Sequence, residues 1–458
     1  MKLPLDFTNA MKSQLEGAYK DFEQALSAPS PISIRFNASK NFDWKENFDG
    51  VKWNNKGVYL RERPVFTLDP AFHAGAYYVQ EASSMFVAEA VRQIVASAPT
   101  KPLRVLDLCA APGGKSTLLL DELPTNSLLW SNEVIRNRFQ ILKYNLIKWG
   151  NPGIVASQMD SQQLSELGPF FDLILVDAPC SGEGLFRKTP EAMEEWSLAN
   201  VDLCAARQKR ILGEAFSMLK PGGHLLYSTC TYNPKENQDN VNWSIHTASL
   251  RPFNLELPSH WGIENREVGY QFYPHRLRGE GFYLACLQKP GDQLESKKHR
   301  KTRPSKVGLQ AISRKEREAL SPWLNSPEEL FLFKTEKGQI RAFPIVQREV
   351  LERLSSKWPF LWYGLEVGAF KGKDFVPSPT LALSSFISPE ISHLDLKKGQ
   401  ALAFLRKDPI EDLPNLAKGW LLIRYQGLGL GWIKSLGNRI NNYYPKEWRI
   451  RMSIPRED

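Results

Sequence analysis

From residue 103 onward the chain alternates short apolar runs with stretches of helical period, and this alternation is its clearest pattern. Leu103-Arg104-Val105-Leu106-Asp107-Leu108 predicts a buried strand, followed by a glycine-rich turn and a helix opening at Lys115 or Ser116. Residues 127–133 predict a second strand with a helix after it through Asn145, and 154–157 a short third. A fourth strand falls at 172–177 and a fifth at 223–229, preceded by a helix from about 200 to 219; residues 281–288 supply a late strand. Strands alternating with helices imply a parallel α/β sheet, whose ligands sit beyond the carboxyl ends of the strands.

The flanks read differently. A helical stretch over 7–26 gives way to strand-like pieces at 32–36 and 57–60. Residues 80–95 then place Met85, Val87, Ala88, Val91 and Ile94 largely on one helical face. Residues 289–306 have almost no apolar content and predict a basic linker. Beyond it, helical segments mix with strand-like runs at 420–425 and 427–433, the mark of a small β-rich domain. The expected organisation is an N-terminal α+β subdomain (1–100), an α/β catalytic domain (101–290), a basic linker (291–310) and a C-terminal region (311–458).

Composition narrows the class. With 42% hydrophobic and 24% charged residues the chain is not largely disordered. No apolar run approaches the ~18 residues of a membrane span, and the N-terminus lacks a signal-peptide stretch, so the expectation is a cytoplasmic protein without membrane contact. The five cysteines are odd in number and contain no C-x-x-C pair, which argues for free thiols rather than a disulfide framework or a zinc site. No histidine grouping suggests a metal. Residues 291–458 carry a net charge of +10 against −1 for residues 1–290, so the whole basic excess lies in the last third. That asymmetry suits a polyanion-binding appendage on a near-neutral catalytic body.

Four features stand at predicted strand ends. The first, D-L-C-A-A-P-G-G-K-S (107–116), combines small residues with a helix N-terminus able to meet an anionic group. It misses a P-loop by one residue, since Cys109 stands where the first glycine is needed. The second is Glu133, placed where nucleotide-binding α/β folds accept ribose hydroxyls, with Asp160 after the third strand well placed for an adenine edge. The third, D-A-P-C-S-G-E-G (177–184), puts a carboxylate and a thiol on one turn; the fourth, Y-S-T-C-T-Y (227–232), ends the next strand with another thiol. Neighbouring strand ends would bring Cys180 and Cys230 to one cleft, whereas Cys204 and Cys286 read as packing.

Those strings, in that order, resemble the RNA cytosine-C5 methyltransferases of the Sun and nucleolar-protein family, and within it the ribosomal RNA small subunit methyltransferase F type. Y-V-Q-E-A-S-S-M (78–85), G-E-G-F-Y (279–283), and the C-terminal G-L-G-L-G-W-I-K with N-N-Y-Y-P (441–445) match further family segments. The resemblance implies a Rossmann-like methyltransferase sheet with a PUA-like RNA-binding C-terminus. It implies S-adenosylmethionine as methyl donor, held by Cys109, Ala110, Ala111, Pro112, Gly113, Gly114 and Lys115, with Glu133 on the ribose, Asp160 near the adenine and Asp177 by the methyl-bearing end. Cys230 is then the nucleophile at cytosine C6, Asp177 stabilises the N3 and N4 edge, and Cys180 assists release; spacing alone allows the two cysteines to exchange roles. The implied partner is RNA, 16S ribosomal RNA or the small subunit, met by a monomer that extracts its target base from the stack. Alternatives are the same reaction on transfer RNA, or an RNA-binding ribosome assembly factor whose methyltransferase body mainly binds.

Overall fold

The computed structural model describes residues 3–42, 48–97, 101–189, 191–291 and 309–453. Most of the expected basic linker lies outside the described residues. Among those residues, no helix is long and apolar enough to cross a membrane.

At the centre is a ten-stranded sheet whose middle is five parallel strands, in the order Leu219–Thr229, Phe171–Asp177, Arg104–Asp107, Leu128–Asn132, Ile154–Ser157. These strands are buried along nearly their whole length rather than alternating, as strands covered by helices on both faces must be. The first of them in sequence, Arg104–Asp107, lies between the second and the fourth, so the strand order reverses there and opens a crevice at its carboxyl end. Phe282–Gln288 runs antiparallel beside Leu219–Thr229. The element boundaries fall within a few residues of the periodicity reading, with helices at Gly114–Glu122, Arg136–Trp149 and Leu198–Met218.

Two features depart from the pattern reading. The helical stretch over 7–26 is two helices, Leu5–Leu15 and Tyr19–Ser27, broken where Glu16 adopts φ +46 ahead of Gly17. The face expected over 80–95 is a 3₁₀ turn, Ser83–Phe86, running into the helix Val87–Ala96, and its five apolar positions are all buried.

The C-terminal region holds two sheets, a five-stranded one over Gln310–Pro377 and a four-stranded one over His393–Asn442. It is packed into the body rather than hung from it. Trp362–Tyr363 pairs with Ile154–Ser157 at the edge of the central sheet, and the Trp358 ring sits 5.7 Å from that of Trp130. The last sheet shares a core with the N-terminal one: Ile34, Leu60 and Tyr77 pack in one cluster with Leu402, Phe404 and Ile433.

Candidate active site

The strand ending at Asp107 delivers the chain into the crevice. Gly113 takes φ +112, in the left-handed region, and a Cβ on Gly114 would stand 3.2 Å from the Tyr78 ring, so the turn needs residues without side chains. The Arg136–Trp149 helix ties down its carbonyls: Arg138 Nη2 donates to Ala111 O at 2.8 Å and Asn145 Nδ2 to Pro112 O at 2.8 Å. Together Cys109, Ala110, Gly114, Lys115 and Asp177 form one wall of a cavity, and Tyr78 with Gln80 forms another.

Asp107 is fully buried. Its Oδ2 accepts from Ser116 Oγ at 2.6 Å, while Oδ1 has no partner among the described residues. Burial pushes its carboxyl up to about 7, against a partial pull downward from Ser116. Burial likewise pushes the Cys109 thiol up, which makes it an inert member of the loop.

Glu133 ends the next strand and is also buried. Its Oε1 accepts from Ile135 N at 2.9 Å, and Oε2 lies 3.4 Å from Arg138 Nη1. Asp160 follows the strand beyond and caps the helix Ser161–Ser165 in a reciprocal capping box with Gln163. Its carboxylate is half exposed and 3.5 Å from Arg210 Nη1, so Asp160 has a local structural task of its own.

The two thiol-bearing turns leave the sheet side by side because Asp177 and Ser228 are register partners on adjacent parallel strands. Cys180 Sγ and Cys230 Sγ are 3.0 Å apart, both free thiols, and Cys230 N donates to Cys180 Sγ at 3.3 Å. The hydrogen bond to Cys230, and then burial, raises the Cys180 thiol, so Cys180 keeps its proton. Beside the pair, Lys115 Nζ donates to Asp177 Oδ2 at 2.8 Å and Ser228 Oγ to Oδ1 at 2.7 Å. Burial opposes the Lys115 charge, but Asp177, Cys230 and Asp107 outweigh it and its pKa rises, leaving a fixed cation in the cleft. Cys204 and Cys286 are buried free thiols.

Two acids that carried no role in the sequence reading hold the thiol turns together. Glu183 accepts from Trp196 Nε1 (3.1 Å), Asn233 Nδ2 (3.2 Å), Thr231 Oγ1 (2.8 Å) and Tyr232 N (3.0 Å). Glu236 accepts from Ser181 N and Gln208 Nε2, each at 2.9 Å, and from Ser181 Oγ at 2.5 Å. Each acid reaches from its own turn to the other. Glu183 at least lies inside a quoted string; Glu236, in a polar P-K-E-N run, looks like solvated surface. The N-terminal helices brace the same turn from behind, where Phe22 meets Tyr232 edge-on at 5.1 Å and Gln14 Nε2 donates to Tyr273 Oη at 2.6 Å. No spacing rule links residues 14 and 22 to residue 232. Tyr78 and Gln80 belong to the segment 78–85 that resembles the family, although nothing in its local pattern points to a cavity wall.

Comparison with known proteins places three family models along the chain. Residues 3–82 match the N-terminal domain of 16S rRNA methyltransferase RsmF, 94–288 match 16S rRNA methyltransferase RsmB/F, and 392–450 match the methyltransferase RsmF PUA domain. The ribosomal RNA small subunit methyltransferase F of Salmonella arizonae is 31% identical over 470 residues, covering 96% of this chain and 94% of its own. That of Erwinia tasmaniensis is 29% identical over 410 residues, covering 87% and 84%. Among solved structures, a methyltransferase homologue from Pyrococcus horikoshii superposes with a TM-score of 0.53 at 27% identity, covering 62% of this chain and 94% of the other.

Proposed function

We propose a specific reaction for this chain, which belongs to the ribosomal RNA small subunit methyltransferase F family: transfer of a methyl group to C5 of a cytidine in 16S ribosomal RNA, through a covalent bond from Cys230 to C6. The observation that carries this reading is the pair of thiols 3.0 Å apart at the ends of adjacent parallel strands.

S-adenosylmethionine is the family's methyl donor and supplies an electrophilic methyl group on a sulfonium. The crevice residues suit it. A buried carboxyl oxygen of Asp107 lacks a partner among the described residues, Gly113 and Gly114 leave room for close approach, and Glu133 stands at the next strand end. Cys109 to Lys115 and Asp177, at the cavity, would hold the methionine part and its methyl-bearing end, and Glu133 and Asp160, at the next two strand ends, would take the ribose hydroxyls and the adenine.

Cytosine C5 is a poor nucleophile while the ring is aromatic. Addition of the Cys230 sulfur to C6 breaks that aromaticity and moves electron density onto C5 and N3. The Asp177 carboxylate, held by Lys115 and Ser228, stabilises the activated base along its N3 and N4 edge. Cys180 keeps its proton by the hydrogen bond to Cys230 and is placed to assist the last step. There the C5 proton passes to solvent water, the electron pair of the C5–H bond re-forms the C5–C6 double bond, and the S–C6 bond breaks with its pair on sulfur, freeing Cys230 as a thiolate. The N-terminal subdomain contributes to the RNA cleft, and its Tyr78 and Gln80 wall the cavity that Lys115 and Asp177 also line.

The test is methyl transfer from labelled S-adenosylmethionine to small subunits, naked 16S ribosomal RNA and transfer RNA, followed by nucleoside identification. The expected product is 5-methylcytidine in ribosomal RNA, absent with Cys230→Ala, while Cys180→Ala accumulates a protein–RNA adduct that survives denaturing electrophoresis. An adduct with Cys230→Ala instead exchanges the two roles, and label in another nucleoside overturns the cytosine reading.

A further inference from the structure

We propose that a second cavity, where the Arg136–Trp149 helix, the Gln310–Pro377 sheet and the end of the chain meet, takes an unstacked nucleobase of the RNA. This inference rests on the RNA reading above but not on the methyl-transfer chemistry.

The cavity has a volume of about 360 Å³, within the range of small-ligand sites. Its walls are aromatic. Tyr144 and Trp448 approach to 5.4 Å between ring centroids, and Trp362 carries the Arg341 guanidinium at 5.5 Å. Flat rings of this kind accept the face of any base, which is how unpaired nucleotides are taken up by RNA-binding proteins.

The polar groups argue for a base rather than a phosphate. Lys143 and Arg341 line the cavity, but so do Glu366 and Glu447, and two carboxylates in the same walls disfavour an anion. A neutral ligand with donors and acceptors on its edge suits such a lining. Arg341 has 8% of its surface exposed, and its Nη2 donates to Gly364 O at 3.2 Å. The guanidinium is thus a fixed part of the wall, held against the Trp362 ring.

The test uses the full-length protein and a fluorescein-labelled, mixed-sequence single-stranded RNA about a dozen nucleotides long, with binding read by anisotropy across a salt series. Trp448→Ala is expected to weaken binding roughly fivefold to hundredfold, the range for one lost stacked base, and Trp448→Phe to restore most of it. The slope of log affinity against log salt should not change, because no phosphate contact is removed. Gln140→Trp, at the exposed rim, fills the mouth without touching the core and should weaken binding as well. Unchanged affinity in Trp448→Ala overturns the proposal, and so does unchanged affinity in Gln140→Trp, which would make the Trp448 loss structural. A shallower salt slope overturns the nucleobase assignment in favour of a phosphate contact, and a wild type that does not bind the RNA overturns the site altogether. Binding through Trp448 by a wild type that transfers no methyl group leaves the site standing while the proposed reaction falls.

Discussion

The two halves of the crevice are built to opposite rules. On the thiol side, Glu183 and Glu236 use every carboxylate oxygen, binding seven donors between them across the two cysteine turns. On the loop side, Asp107 is fully buried and leaves one oxygen with no partner among the described residues. On the thiol side those bonds fix both turns, so that the two sulfurs keep their contact, and a displaced nucleophile would lose orders of magnitude in rate. The loop side keeps one valence open, at Asp107, while Glu133 and Asp160 already hold local partners.

The comparison is broken most severely at Glu236. Glu236→Ala strips Ser181 and Gln208 of their shared acceptor, and the loss of three hydrogen bonds to its carboxyl group should cost about 3–5 kcal/mol in urea unfolding. Methyl transfer should fall with it, since Ser181 follows Cys180 directly. A variant of full stability and activity would mean the turns are held by the backbone alone.

On the loop side the effect should appear in binding instead. Glu133→Gln is expected to weaken S-adenosylmethionine about tenfold by calorimetry, or ~1.4 kcal/mol, with RNA affinity unchanged. Equal loss of both ligands would show that Glu133 organises the fold rather than the donor site.

The smallest effect sharpens the picture at Asp107. Its folded pKa of about 7 lies above the ordinary value of 3.8, so the native state holds a proton that the unfolded chain releases. That contribution to stability is complete below about 3.8 and is lost as the pH rises through about 7. Urea midpoints compared at pH 5 and pH 8 should show a steeper decline in the wild type than in Asp107→Asn, which cannot ionise. Parallel declines would remove Asp107 as the titrating group.

Much of this was legible in the chain. The five parallel strands follow from uninterrupted apolar runs, and the residues at their ends follow from the rule that α/β sheets place ligands at carboxyl termini. Glu236 and Tyr78 were not legible as parts of the site. Their neighbours in sequence are ordinary, and the groups they touch are 28 to 55 positions away for Glu236 and at the glycine turn for Tyr78. The C-terminal region misled in another way: its strands were partly readable, but its pairing onto the central sheet through Trp362–Tyr363 was not. A two-residue edge strand has no periodicity to detect.

The sequence by itself determined the alternation of strand and helix, the free thiols and the concentration of positive charge in the last third, because these are properties of local pattern and composition. The tertiary structure decided that Cys180 and Cys230 touch, that Asp107 is buried with an oxygen to spare, and that an aromatic cavity forms from three distant segments. Those depend on strand register and on which surfaces exclude water together, and such long-range pairings leave no periodic trace along the chain.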